Sequence, residues 1–165
     1  KALEAIDLLG DLVSGCDVIV GSSNRSAKQL KKECNQRSGV NFYHGITNMA
    51  EIMSRSALAL GAPGSSTWER CCLGLPSLLT SIAENQIAIG ENIGRAGWCI
   101  YLGRSEEVTS AMISERALEL IKNRGNCLSM RERGMKLVDG CGVDRVCEKL
   151  LSKGSKLPGL EVSKV

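Results

Sequence analysis

Short, mostly apolar runs alternate along the chain with longer segments whose apolar residues recur at helical spacing. The runs at 16–20, 40–43, 57–60, 77–80 and 99–102 are rich in Val, Ile, Leu and Ala, and Gly, Pro or Ser punctuates them. That pattern predicts short, mostly apolar strands. Helical spacing fills the intervals at 26–35, 49–54, 66–73, 86–96 and 106–122. Alternation of this kind predicts parallel strands joined by crossover helices, an α/β Rossmann-like sheet with helices on both faces. Residues 2–12 read as a helix with Leu3, Ile6, Leu9 and Val13 along one face, so the first element is a helix with no strand before it. Helical patterns at 128–137 and 143–151 close the domain, placed at 1–151; the Lys, Gly, Ser and Pro residues of 152–165 predict a loose tail. No internal repeat is present.

Composition narrows the function classes. A chain of 165 residues with 43% apolar and 24% charged residues suits one globular domain with a sizeable core. Lys plus Arg exceed Asp plus Glu by 21 to 18, but the excess is scattered and not gathered into a stripe with interleaved aromatics, which argues against a nucleic-acid partner. No apolar run approaches the roughly 20 residues that cross a bilayer, so no membrane span is expected. The 8 cysteines include no Cys-x-x-Cys pair and fall mostly in apolar segments, the pattern of reduced, buried thiols in a cytoplasmic protein. His44 is the only histidine and no cysteine pair flanks it, so no metal site is expected.

The segment 57–76 carries the chemistry: a strand, a turn of small residues, a helix and a new strand. Gly61 and Gly64 let the backbone bend tightly and approach a ligand, while Ser65, Ser66 and Thr67 bring hydroxyls and amides to a helix start. Such an end attracts phosphate, and in open parallel sheets ligands bind beyond the carboxyl ends of strands. Glu69, in the first helical turn, could accept from two adjacent hydroxyls, as on a ribose. The same residues also read as a cap with a dipole-favoured acid, and the residues alone leave both open. Asn85 and Gln86, opening the next helix, suit sugar hydroxyls and amides, or Asn85 serves as an N-cap. The loop after the second strand, 43–49, could present backbone groups to a base edge, although by its residues alone it reads as an ordinary loop. His44 lacks a spaced partner for base catalysis, Cys71 and Cys72 point to different helix faces, and Trp68 and Trp98 are expected as core anchors.

Gly61-Ala-Pro-Gly-Ser-Ser-Thr-Trp-Glu-Arg-Cys-Cys-Leu-Gly-Leu-Pro76, followed by Glu84-Asn-Gln86, resembles the UDP-sugar hydrolases of pseudaminic acid synthesis and the related spore-coat polysaccharide proteins. More distantly it is similar to the peptidoglycan UDP-N-acetylglucosamine transferase. Residues 48–53 and 139–146 extend the likeness to about residues 1–151. The resemblance implies the C-terminal, nucleotide-holding domain of a two-domain GT-B-like enzyme that acts on a UDP-sugar without a cofactor. It implies that Gly64, Ser65, Ser66 and Thr67 contact the diphosphate, Glu69 the ribose, the backbone near Ile46 the uracil, and Asn85 with Gln86 the sugar, with Asp139 lining the same cleft. Catalysis would come from an N-terminal half of the same polypeptide, so no catalytic residue is assigned here. In that architecture a central strand with a Gly-Gly-Ser-type turn precedes the first helix, so the chain reads as part of a longer polypeptide. Hydrolase and transferase share these nucleotide contacts, with residues 68–75 favouring the hydrolase; a non-catalytic sugar-nucleotide sensor is the third reading.

Overall fold

The computed structural model describes residues 1–154, and in it strands and helices alternate as the pattern predicts. The strands are β1 (Cys16–Val20), β2 (Val40–His44), β3 (Ala59–Gly61), β4 (Ser77–Ser81) and β5 (Ile100–Arg104). The helices are α1 (Ala2–Leu9), α2 (Ala27–Asn35), α3 (Met49–Arg55), α4 (Ser65–Cys72), α5 (Ile87–Arg95), α6 (Ser110–Lys122), α7 (Arg124–Leu137) and α8 (Gly142–Gly154), with 3-10 turns at Gly10–Leu12 and Glu84–Gln86. Every strand pairing is parallel. The strands form two sheets, β1-β2 and β3-β4-β5. Written as β2-β1 and β3-β4-β5, they take the order of a doubly wound 3-2-1-4-5-6 sheet on either side of its first strand.

The core is organised by β4. Leu78 and Leu79 are adjacent, so the pleat sends them to opposite faces. Leu78 packs with Ala5, Val108, Ile113, Ala117, Leu120 and Met130 from the layer of α1, α6 and α7. Leu79 packs with Ile93 of α5 and Cys99. Complete burial of one leucine contributes about 1.5–3 kcal/mol, and here neighbouring residues do so for two layers at once. Helix α5 approaches β5 closely because Gly90 and Gly94 present no side chain to Tyr101: a Cβ at Gly94 would lie 2.9 Å from the Tyr101 Cβ. The Tyr101 hydroxyl in turn lies 2.8 Å from Ser81 Oγ at the end of β4.

The other sheet is less enclosed. All five residues of β1 are half-buried despite the apolar run Val18, Ile19 and Val20. Asp17 fastens this sheet to α3: it accepts from Asn41 Nδ2 at 2.9 Å and Arg55 Nη2 at 2.9 Å. Those bonds, with Asn41 the largest influence, hold its carboxyl below the usual range. On α8, Val143, Val146, Leu150 and Leu151 form an exposed stripe at helical spacing.

Several expectations shift. The expected helix 106–122 begins at Ser110, where Thr109 caps it by accepting from the Met112 amide at 3.2 Å. Helix α8 runs to Gly154, past the expected boundary at 151, and the rest of the expected tail lies outside the described residues. All eight cysteines are free, but Cys141 and Cys147 are exposed, which corrects the expectation of generally buried thiols. At the other extreme, burial pushes the Cys99 thiol up to about 12. No helix among the described residues is long and apolar enough to cross a membrane.

A Cβ at Gly90 would come within 2.6 Å of Tyr101 Cδ2, so Gly90→Ala must displace the ring that holds Ser81. Overpacking of about 1–3 kcal/mol outweighs the helix-propensity gain of alanine over glycine, about 1 kcal/mol. The variant is expected to have a lower urea midpoint with an unchanged m-value.

Candidate functional site

Parallel strands bring their carboxyl ends to one edge of each sheet. On the edge of the β3-β4-β5 sheet lie the turn after β3, the 3-10 turn after β4 and the loop after β5. The register Gly61↔Leu79 fixes the point at which β3 stops and the small-residue turn begins.

Helix α4 divides that turn into an inner and an outer side. Thr67, Arg70 and Cys71 form the inner stripe and are buried; Ser65, Trp68 and Glu69 are exposed on the outer side. Thr67 is engaged within the protein: its amide donates to the Gly64 carbonyl at 2.9 Å and its Oγ1 accepts from the Gly64 amide at 3.2 Å. The structure therefore makes Thr67 a buried clamp of the turn. The amides of Ser65 and Ser66 belong to the first helical turn, which has no preceding helical carbonyls, and neither bonds to another described residue.

Gly64 sits in extended backbone with φ −176°, which any residue adopts, and a Cβ there would meet nothing within 4 Å. The fold does not require glycine at this position, and its effect is to keep the mouth of α4 uncovered. Glu69 is one helical turn beyond Ser65 on the same face, exposed and without an ion-pair partner among the described residues.

Beside Glu69 a cleft of about 500 Å³ runs between α3, α4 and the α7–α8 link, lined by Thr47, Met49, Met53, Trp68 and Cys72 among others. Trp68 is 41% exposed along this cleft, which corrects its expected place in the core; Trp98 does pack against the Leu79 cluster. Sequence reasoning missed Trp68, Met49, Met53 and Cys72 as lining residues. The signal available was the spacing of Ser65, Trp68, Glu69 and Cys72, which places them on one helical face.

The remaining candidates divide. Ile46 is half-buried in the β2–α3 loop, next to the cleft residues 47–50 but not among them. Asn85 is exposed and caps neither the 3-10 turn nor α5, so its capping role is not realised. Gln86 pins its own turn, its Oε1 accepting from the Ile82 amide at 3.0 Å. Asp139 is turned to local work: it accepts from the Cys141 amide at 3.0 Å and from Arg145 Nη1 at 2.6 Å, and Arg145 holds its carboxyl below the usual range. Its neighbours Val138 and Gly140 line the cleft and it does not. His44 is exposed and stacks on Phe42 with ring centroids 6.4 Å apart. Among the described residues no group of three or more His, Cys, Asp or Glu is placed to hold a metal ion.

No family model matches the chain. Over 147 residues, 88% of its length, it is 26% identical to the spore coat polysaccharide biosynthesis protein SpsG of Bacillus subtilis (strain 168), and it spans 43% of that protein. Among solved structures its fold is similar to the calicheamicin glycosyltransferase CalG4, with a TM-score of 0.63 and 14% identity over 90% of this chain and 46% of that one. It is similar also to a UDP-N-acetylglucosamine 2-epimerase, with a TM-score of 0.59 and 15% identity over 96% of this chain and 48% of that one. The fold is thus that of GT-B-like enzymes, of which the chain spans about half or less.

Because Gly64 is extended and faces open space, Gly64→Thr is expected to leave unfolding free energy within about 0.5 kcal/mol, since threonine is an accepted N-cap. The same side chain would cover the mouth of α4 and weaken any anion bound there by about tenfold or more, read by calorimetric titration beside a thermal melt.

Proposed function

We propose that this chain is the nucleotide-sugar-binding domain of a GT-B-like enzyme of surface-polysaccharide synthesis, and that its ligand is a UDP-sugar. The observation that carries the reading is the mouth of α4. An uncovered glycine, two first-turn amides without protein acceptors and an exposed carboxylate one turn along share one face. The amides and the positive end of the helix dipole suit a diphosphate. Glu69 suits the paired hydroxyls of a ribose, and its place beside the cleft lets one ligand touch both.

In this reading the diphosphate lies against bare Gly64 and is held by the amides of Ser65 and Ser66, and Thr67 keeps their turn in shape. The backbone at Ile46 meets the uracil, and Asn85 and the free amide end of Gln86 meet the sugar. Asp139 takes no part, because Arg145 and the Cys141 amide occupy it. The bond to break joins the sugar to the diphosphate, and negative charge grows on the departing UDP as it breaks. Donors fixed at a helix start stabilise that charge in the transition state more than in the bound substrate, which is what accelerates a reaction.

We place hydrolysis first, with water as the nucleophile, because the likeness to the UDP-sugar hydrolases continues through residues 68–75. Transfer to an acceptor hydroxyl is the alternative, favoured by the glycosyltransferase among the fold relatives. In either case the nucleophile is activated by a second domain. The exposed stripe on α8 and the half-buried apolar strand β1 support such a companion in the same polypeptide. Eight free cysteines support a cytoplasmic setting.

Titration with UDP, ADP and GDP, followed by amide shifts, tests the reading: UDP is expected to bind most tightly, with shifts at residues 43–49, 61–69 and 85–86. Equal affinity for all three would overturn the assignment of the base. Glu69→Ala is expected to weaken UDP about tenfold, the worth of hydrogen bonds to a charged group, and to leave inorganic pyrophosphate nearly unaffected. Since the helix start supplies the positive field, UDP affinity is expected to survive addition of EDTA; a marked loss would show that a divalent ion shares the diphosphate.

A further inference from the structure

Arg70 belongs to the wrong side of its helix. Its neighbours on the inner stripe, Thr67 and Cys71, are 2% and 5% exposed, and Arg70 itself is 6% exposed. A stripe so enclosed ordinarily takes aliphatic side chains. When a charge is buried there it is ordinarily paired, because an uncompensated buried ion is costly. Arg70 takes part in none of the seven ion pairs among the described residues.

Its contacts explain its direction but not its charge. Side chains on a helix lean toward the N-terminus, and Arg70 reaches back along α4 to the small-residue turn. One nitrogen, Nη2, donates to the Ala62 carbonyl at 3.1 Å and to Thr67 Oγ1 at 3.1 Å. Nε is buried and has no hydrogen-bond partner. Nη1 lies so near Gly61 that a Cβ there would stand 2.8 Å from it. Both acceptors are neutral and no carboxylate comes within ion-pair distance, so a positive charge is held beneath residues 61–67 with only the more distant Glu69 to oppose it. Burial pushes the guanidinium pKa down from its ordinary value, so desolvation outweighs the attraction of Glu69 across the helix.

We propose that Arg70 is the buried counter-charge of the diphosphate, a positioning residue that shapes the turn from beneath and adds its field to the amides of Ser65 and Ser66. The inference rests on the nucleotide reading above and deepens it. Three sources of positive potential, the helix dipole, the open amides and the guanidinium, meet at one turn; the anion that satisfies them is the ligand's. Gly61 and Gly64 serve the arrangement from both sides, the first leaving room for the guanidinium and the second leaving the opposite surface bare.

The test compares Arg70→Met, which keeps the length and removes the charge, with Arg70→Lys, which keeps the charge and loses the two-acceptor clip. Each full chain is titrated with UDP, inorganic pyrophosphate and uridine. Arg70→Met is expected to weaken UDP and pyrophosphate by about tenfold or more and to leave uridine within about twofold, while Arg70→Lys retains most of the affinity. Arg70→Met should also flatten the dependence of pyrophosphate affinity on salt, a change that a purely structural role would not produce. Pyrophosphate binding by Arg70→Met as tight as by the unaltered chain would overturn the inference alone. Equal losses in both variants that extend to uridine would show that Arg70 only supports the fold. If the unaltered chain binds neither UDP nor pyrophosphate, the nucleotide reading falls and this inference with it.

Discussion

Leu78 and Leu79 of β4 are almost free of solvent and point to opposite faces, so a single strand anchors the α1, α6 and α7 layer on one side and α5 on the other. The alternation of a pleated strand makes this unavoidable once both residues are apolar. The site inherits its geometry from the same strand. β3 is registered on β4 from Ala59↔Ser77 to Gly61↔Leu79, which fixes the start of the small-residue turn. β4 ends at Ser81, where Tyr101 meets it, and this sets the Glu84–Gln86 turn beside that first turn. The candidate residues after both strands thus stand on one edge because the strand between the helical layers has no freedom to slide.

Helix α4 shows how a short helix can be anchored at one end and open at the other. Its C-terminal end closes completely: Gly74 takes a left-handed φ of 62°, its amide donates to Cys71 and the Leu75 amide donates to Arg70, the pattern that satisfies the last carbonyls of a helix. Cys71 packs against α7, where a Cβ at Gly134 would come within 3.2 Å of the Cys71 backbone. At the other end only Gly64 and Thr67 reciprocate, and the first-turn amides remain open. Rigidity at the far end lets the near end stay uncovered without fraying, as a preorganised anion site requires.

Local pattern made most of this legible. Each expected strand lies within two residues of an observed one, because short apolar runs bounded by Gly, Pro and Ser leave little latitude. The small-residue turn was legible for the same reason. What the pattern could not carry was pairing. Nothing in 16–20 or 59–61 distinguishes strands of one sheet from strands of two. Asp139 read as a cleft residue because motif position does not reveal that Arg145, six residues on, would take its carboxylate. Thr67, expected at the diphosphate, is buried and clamps the turn, since helical phase places it with Cys71 on the inner side. Trp68 read as core on residue type alone, although its position three residues after Ser65 puts it on the outer face. Arg70 carried no signal, because a charged residue in sequence gives no warning of its burial.

The division into two sheets bears on how the site holds together. The loop with Ile46 and residues 47–50 rises from the β1-β2 sheet, and Gly64 through Glu69 rise from the other, so no ladder of strand hydrogen bonds joins the two halves. They are joined by side chains and helices instead: α1 packs on α6, Asp7 of α1 takes three bonds from Arg37 after α2, and the cleft walls come from α3 and α4. Such contacts are shorter in reach and easier to shift than a continuous ladder. A ligand with its base at Ile46 and its diphosphate at Ser65 would bridge both sheets, and the free energy of its binding would then stabilise their relative placement as well as the bound state. Under the proposed reading the nucleotide is therefore part of what holds the two halves of its own site in register.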